Sequence, residues 1–276
     1  SSTQANLDNP YGKSKRASEV AVEGLANEIG NPVYIYRLPS VFGKWCRPNY
    51  NSVVATFCNN IANGIPIQIK DISTKLSLVY VDDVVADFIS VIQQDSRGIS
   101  RPLIEPEYNI TLGELASQIR AFENCRVNLI SEQVGTGLVR GLYSAYLSYL
   151  KPEQFSYLLP CHRDERGVFV EMLKTKESGQ FSYFTTLPGV TRGKHFHNSK
   201  SEKFLVIKGS ARFCFRHIVT DELYEIFTNG NEPKVVDTVP GWTHDITNVG
   251  SEEMIVMIWA NEIFDPNKPD TIAADV

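Results

Sequence analysis

Apolar and polar positions follow two different rhythms along this chain. Across Pro10–Ile29, the apolar residues Ala17, Val20, Ala21, Leu25 and Ala26 recur at helical spacing between charges, behind an early proline. That pattern predicts a helix with one apolar face. Residues 33–38 (VYIYRL) predict a short strand, followed by a loop bounded by Pro39 and Gly43, and residues 51–62 return to helical spacing. Residues 76–81 predict another strand running into a VDDVVADFISVI helix, and Thr111 with Glu114 forms a capping box that opens a helix over 111–122. The first half alternates α and β.

Beyond about residue 156 the rhythm shortens to β-rich runs separated by turns: FVEML, FSYFTTL, EKFLVI, ARFCFRHI, ELYEIF, VVDTV and EEMIVMIWA. Such spacing predicts an antiparallel sandwich or barrel. Residues 123–151 join the halves, with 142–150 as a docking helix, so the expected domains are 1–150 and 151–276. No internal repeat or low-complexity tract occurs.

Composition narrows the class. Lys and Arg number 27 against 32 Asp and Glu, a net charge of -5, so no broad basic field exists to hold a nucleic-acid backbone. The longest apolar run, Met254–Ala260, falls far short of the roughly 20 residues that span a bilayer, so no membrane span is expected. Five scattered cysteines without CxxC spacing suit a reducing compartment, and a cytoplasmic protein is expected. The opening SSTQANLDNPYGKSK has neither signal-peptide character nor a normal domain start, so the sequence reads as beginning within a domain.

Candidate chemistry stands out twice. Gly189, His195, His197, Glu202 and Gly209 form G-x5-H-x-H-x4-E-x6-G, and Gly241, His244 and Asn248 form G-x2-H-x3-N. Histidines two apart on a strand share a face, and five further residues allow a turn into the next strand. His244 is expected from a later strand across the barrel, completing three imidazoles and a carboxylate suited to zinc, iron, manganese or nickel. These motifs resemble the two metal motifs of the cupin superfamily, although Pro240 is adjacent to the second glycine rather than two residues before it. His162 and His217 lie outside the motifs and read as ordinary histidines.

The second candidate is Tyr11 and Lys15, an i, i+4 pair opening a helix behind the hydroxyls of Ser1, Ser2 and Thr3. An ammonium beside the phenol favours its ionised form and suits Tyr11 to proton transfer in carbonyl reduction. SST, PYGKSK, RLPSVFG and VYVDDVVADFI stand in the order seen in the extended short-chain dehydrogenase/reductase family, which this half resembles over roughly residues 1–120. The resemblance implies catalytic Thr3, Tyr11 and Lys15, cofactor contacts from Tyr11, Lys15 and Ser40, and a substrate loop with Trp45, Arg47, Asn49 and Asn51. The family's Gly-rich phosphate loop has no counterpart here. The expected fold is therefore α/β plus all-β: the carboxyl-terminal part of a Rossmann-type reductase domain, its nucleotide-binding half absent, followed by an antiparallel β-barrel cupin.

Both halves together, with GKHFHNSKSEKFLVIKG and NEIFDPNKPDT, resemble a family of bifunctional capsular polysaccharide enzymes. That resemblance implies a UDP-2-acetamido-2,6-dideoxy-4-hexulose substrate, a UDP-linked 4-keto amino sugar. It also implies C3 epimerisation in a Zn2+ cupin, NADPH reduction of C4 in the complete protein only, a homodimer, and a place on the route to UDP-N-acetyl-L-fucosamine. The competing readings are a metal-dependent cupin oxygenase using iron and a non-catalytic sugar-binding module.

Overall fold

The computed structural model describes residues 1–94 and 98–276. The chain forms two compact units, Ser1–Glu123 with Gln133–Phe155, and Asn124–Glu132 with Ser156–Val276.

A 3-10 turn at Thr3–Asn6 leads into α1 (Pro10–Ile29), β1 (Val33–Tyr34), β2 (Ser40–Phe42), α2 (Val53–Ala62), β3 (Lys75–Tyr80), α3 (Val81–Ile92), β4 (Ile99–Ser100) and β5 (Tyr108–Thr111). Then come α4 (Leu112–Asn128), β6 (Ile130–Ser131) and α5 (Gly137–Leu147). Asn9 caps α1 by accepting the Gly12 amide at 2.7 Å, Pro10 supplies the preset first turn, and Gly30 ends the helix in the left-handed region at φ 73°. At the head of α4 the capping box forms in both directions: Thr111 N donates to Glu114 Oε2 at 2.8 Å and Glu114 N to Thr111 Oγ1 at 3.2 Å.

β2 pairs parallel with β3, which pairs antiparallel with β5, while β1 and β4 form a separate parallel pair. The main core of this unit joins Phe42 and Leu78 to Phe57 and Cys58 of α2, Leu115 and Ile119 of α4, and Leu142 of α5. Two sequence expectations need correction. The strand over 33–38 keeps only Val33–Tyr34, and the loop after it contains β2. Ala17, Val20, Ala21 and Leu25 are exposed, because α1 instead buries Gly12, Glu19 and Ala26. Glu19 tolerates burial because Arg37 meets it with both Nε and Nη2, the latter 2.7 Å from Oε2.

The second unit continues with β7 (Cys161–Asp164), β8 (Gly167–Thr175), β9 (Gly179–Thr186), β10 (Thr191–Phe196), β11 (Glu202–Lys208) and β12 (Ser210–His217). It ends with β13 (Leu223–Asn229), β14 (Val235–Asp237), β15 (Trp242–Asn248), β16 (Met254–Ala260) and β17 (Ile272–Ala273). One sheet has the order β13-β12-β15-β10-β17 and the other β14-β11-β16-β9-β8-β6, with β7 also on β8. Phe184, Phe204, Val206, Phe213, Phe215, Ile246, Met254 and Val256 from both sheets share one apolar core.

The expected barrel is therefore two sheets around a common core, whose ladders do not close into one ring among the described residues. β17 takes the outer edge of β10, and β6 and β7 take the outer edge of β8, so those edges are already paired. Among the described residues no helix is long and apolar enough to cross a membrane.

Candidate metal centre and candidate reductase site

In the β unit, one atom each from His195, His197, Glu202 and His244 gathers within 4.8 Å of the others. His195 lies on β10 and His197 just past its end, Glu202 is the first residue of β11, and His244 lies on β15. The expectation that His244 reaches in from across a barrel is corrected by the register: His195 and His244 are direct partners on neighbouring strands of one sheet. Their ring centroids are 4.6 Å apart, and those of His195 and His197 are 4.9 Å apart. The carboxylate comes from the other sheet.

A β-bulge produces this register. Lys194 is the extra residue, at φ 63°, between the pairs Gly193 with Asp245 and His195 with His244. Gly193 stands at φ 102°, and a β-carbon there would lie 2.7 Å from the His244 carbonyl oxygen and 2.9 Å from Asp245 Cα. Only glycine allows both the conformation and the close approach.

The ring nitrogens point to a cation. His197 Nδ1 bonds the Asp270 carbonyl oxygen, and His244 Nδ1 lies 3.4 Å from the Trp242 carbonyl oxygen. Carbonyls only accept, so each Nδ1 carries a proton, and in a neutral ring that leaves the lone pair on Nε2. Both Nε2 atoms are buried without a hydrogen-bond partner, 3.4 Å (His197) and 3.7 Å (His244) from Glu202 Oε2. Tetrahedral ligands at about 2.0–2.1 Å from an ion sit roughly 3.3 Å apart, so these residues fit a divalent metal.

Electrostatics agree with that fit. Burial, then the neighbouring imidazoles, push the His195 pKa down to about 4, which keeps the ring neutral. Burial pushes the Glu202 carboxyl up, yet its polar neighbours, the Lys200 ammonium among them, hold it well below the usual carboxylate range. Lys200 Nζ lies 2.8 Å from Glu202 Oε1, leaving Oε2 to the histidines.

The cluster opens on a cavity of about 510 Å³ whose lining includes Arg166, Ser182, Arg192, His195, Lys200 and Glu202. The Ser182 hydroxyl is buried there without a partner. Arg192 stacks over Phe184 at 5.3 Å, and Asp164 lies between it and Arg166. Sequence reasoning missed Arg166, Ser182, Arg192 and Lys200, which belong to no spacing motif. His162, read as ordinary, also lines this cavity, while His217 packs tilted against Trp242, ring centroids 5.0 Å apart, and is not one of the four clustered residues.

In the α/β unit, Thr3, Tyr11, Ser40 and Asn51 line one cavity of about 460 Å³. Gly12 makes this possible, since a β-carbon there would lie 2.4 Å from the carbonyl oxygens of both Gln4 and Leu7, so the 3-10 turn can lie against α1. Lys15 Nζ stands 5.3 Å from the Tyr11 ring centroid. Three expected substrate residues lie off this cavity. Trp45 is 81% exposed, Arg47 stacks 5.5 Å over Tyr50, and Asn49 donates its amide to Thr56 Oγ1 at 2.9 Å. Positive φ at Trp45, Asn49 and Asn51 (64°, 56° and 55°) turns this loop repeatedly, so sequence proximity does not keep its side chains together.

Comparison with known proteins follows the same division. The NAD dependent epimerase/dehydratase family matches residues 1–110, and the polysaccharide biosynthesis C-terminal domain matches residues 162–272. The chain is 59% identical over its full 276 residues to the UDP-2-acetamido-2,6-beta-L-arabino-hexul-4-ose reductase of Pseudomonas aeruginosa, spanning 74% of that protein. The crystal structure of the capsular polysaccharide assembling protein CapF from Staphylococcus aureus superposes with a TM-score of 0.93 at 44% identity, covering 100% of this chain and 75% of that one. A structure of CapF with the inhibitor 3-isopropenyl-tropolone superposes with a TM-score of 0.87 at 42% identity, covering 94% and 75%. With the domain order, the full-length identity and the fold all in agreement, the chain belongs to the family of capsular polysaccharide enzymes that includes CapF and this nucleotide-sugar reductase.

Proposed function

We propose that the β unit is a zinc cupin that epimerises C3 of a UDP-2-acetamido-2,6-dideoxy-4-hexulose, and that the α/β unit carries the acid–base part of an NADPH-dependent 4-ketoreductase. The observation that carries this reading is the pair of buried, lone-pair-bearing Nε2 atoms beside Glu202 at the end of the cavity. His195, His197, Glu202 and His244 would hold the metal, which supplies a Lewis acid for a carbonyl oxygen when bound. A tropolone presents two adjacent oxygens suited to chelation, so the inhibitor of the related CapF supports a metal here.

The chemistry orders the two steps. A C4 ketone acidifies the C3 hydrogen, and reduction destroys that ketone, so epimerisation comes first. In the cavity, Ser182 and Lys200 offer hydrogen bonds to the sugar, and Arg166 and Arg192 offer guanidinium groups to the diphosphate. In the reductase site Tyr11 delivers a proton to the C4 oxygen, Thr3 hydrogen-bonds that oxygen and Lys15 supports the phenol. These 276 residues contain no glycine-rich loop for the cofactor pyrophosphate, so tight NADPH binding by this chain alone is not expected.

The test is solvent exchange. Incubated with the 4-keto sugar in deuterated water, the zinc-loaded chain should place deuterium at C3, and a chelator should abolish the uptake. A folded, metal-loaded chain giving no uptake would overturn the epimerase assignment.

A further inference from the structure

The strongest unassigned feature is the segment after β16, which returns to the cluster from far along the chain. The Asp270 carboxylate accepts five hydrogen bonds from the turn between His197 and Glu202. They come from the Asn198 amide and Nδ2 (2.9 and 3.1 Å), the Ser199 amide and Oγ (2.7 and 2.9 Å), and the Lys200 amide (2.8 Å). The backbone carbonyl of the same residue accepts the Nδ1 proton of His197. Three residues on, β17 pairs with β10 at the other histidine, with Ala273 opposite His195 and Ile272 opposite Phe196. The Ala274 amide then donates to the Lys194 carbonyl at 3.0 Å, on the bulge itself.

This strap does what the sheet cannot do for His197. That residue lies past the end of β10; its carbonyl accepts the Gly241 amide at 2.9 Å, but no strand ladder fixes its ring. Its imidazole tautomer is set by the Asp270 carbonyl, and its turn is shaped by the Asp270 carboxylate. With the strap undocked, the Nδ1 proton loses its acceptor, the ring is free to turn, and the Lys200 amide that leads into Glu202 loses its partner. Two ligands would loosen together.

We propose that Asp270 is a positioning residue through which the carboxyl-terminal strap sets the metal affinity of the site, so that strap docking and metal binding are one coupled equilibrium. The proposal rests on the reading of His195, His197, Glu202 and His244 as a metal centre. It adds a reciprocal consequence: whatever factor the docked strap contributes to metal affinity, the metal contributes to docking.

The experiment is a zinc titration against a competing chelator for the unsubstituted chain, Asp270→Ala and Asp270→Asn, with amide exchange of the unsubstituted chain with and without zinc. Loss of an outer hydrogen-bond partner weakens metal binding roughly 10–100-fold, so Asp270→Ala should bind zinc at least about 10-fold more weakly. Asp270→Asn keeps one acceptor oxygen and should fall between. Zinc should slow exchange at the amides of Asn198, Ser199, Lys200 and Ala274, a measurement that needs no variant. A lowered melting temperature with unchanged zinc affinity would reduce Asp270 to a structural role and overturn the proposal, as would zinc binding that leaves those amides unprotected. If zinc binds the unsubstituted and substituted chains equally, only the strap proposal fails; if it binds neither, the metal-centre reading fails with it.

Discussion

His195 and His244 are direct partners across two antiparallel strands, with ring centroids 4.6 Å apart and one bulged residue, Lys194, setting the match. Two of the four candidate ligands are therefore held by a single backbone ladder. Substituting either removes a ligand without removing the scaffold of the other.

The purified chain should carry about one zinc ion per molecule, because three imidazoles and one carboxylate converge within 4.8 Å without a redox-specific ligand. His244→Ala should lower zinc affinity beyond the roughly 10–100-fold typical of losing an outer hydrogen-bond partner, while the core Phe213 and Ile246 stay packed. Elemental analysis and a chelator competition check both statements. Stoichiometric iron without zinc would point to the oxygenase reading.

Gly193→Ala should cost about 1–3 kcal/mol of stability in the β unit, from a backbone that alanine rarely adopts and a β-carbon pressed on the His244 carbonyl. It should also reduce metal affinity, because relief of the clash moves β10 away from β15. Denaturant unfolding and a zinc titration report the two effects separately. A variant with wild-type stability would show that the bulge accommodates a methyl group.

On the proposed function, Tyr11→Phe in the complete protein should lower carbonyl reduction by about 100-fold or more while leaving C3 exchange intact, since the phenol lines the cavity of the α/β unit. Lys15→Ala should also suppress reduction. Loss of both activities in a folded Tyr11→Phe protein would contradict separate sites.

The Arg37 guanidinium holds the Glu19 carboxyl down at about 2 against the upward push of burial, whereas the unfolded chain releases this carboxyl to its ordinary value near 4.5. A depressed carboxylate stabilises above the unfolded value, so its contribution should be complete above pH 4.5 and disappear as the pH falls toward 2. Glu19→Gln should remove about 2–3 kcal/mol at neutral pH, below the full cost for a wholly buried pair because Arg37 is partly exposed. It should also flatten the acid limb between those values. Urea unfolding at a series of pH values provides the measurement.

The clustering of His195, His197 and Glu202 was legible in the sequence because two local periodicities carry it: alternate residues share a face, and a short turn leads to the next strand. Strand order was not legible, since it depends on pairing between β10 and β15, about fifty residues apart. Asp270 was invisible for the same reason, lying in an irregular segment far from the turn it organises. The face of α1 was misassigned because hydrophobic periodicity has no means of representing a buried carboxylate satisfied by Arg37. In the α/β unit the i, i+4 rule placed Tyr11 and Lys15 together, but the dispersal of Trp45, Arg47 and Asn49 away from the cavity that Asn51 lines was not legible, because left-handed residues redirect successive side chains.

His195 and His244 belong to one sheet and Glu202 to the other, so an ion shared by them would act as a rivet through the sandwich. Away from it, the two layers are held by apolar side chains that meet across the core, such as Phe204 and Phe213 with ring centroids 5.7 Å apart, which loosen gradually rather than by breaking a bond. Thermal opening would then acquire a direction: the layers would part first at the end remote from the ion and last at the end that holds the four-residue cluster.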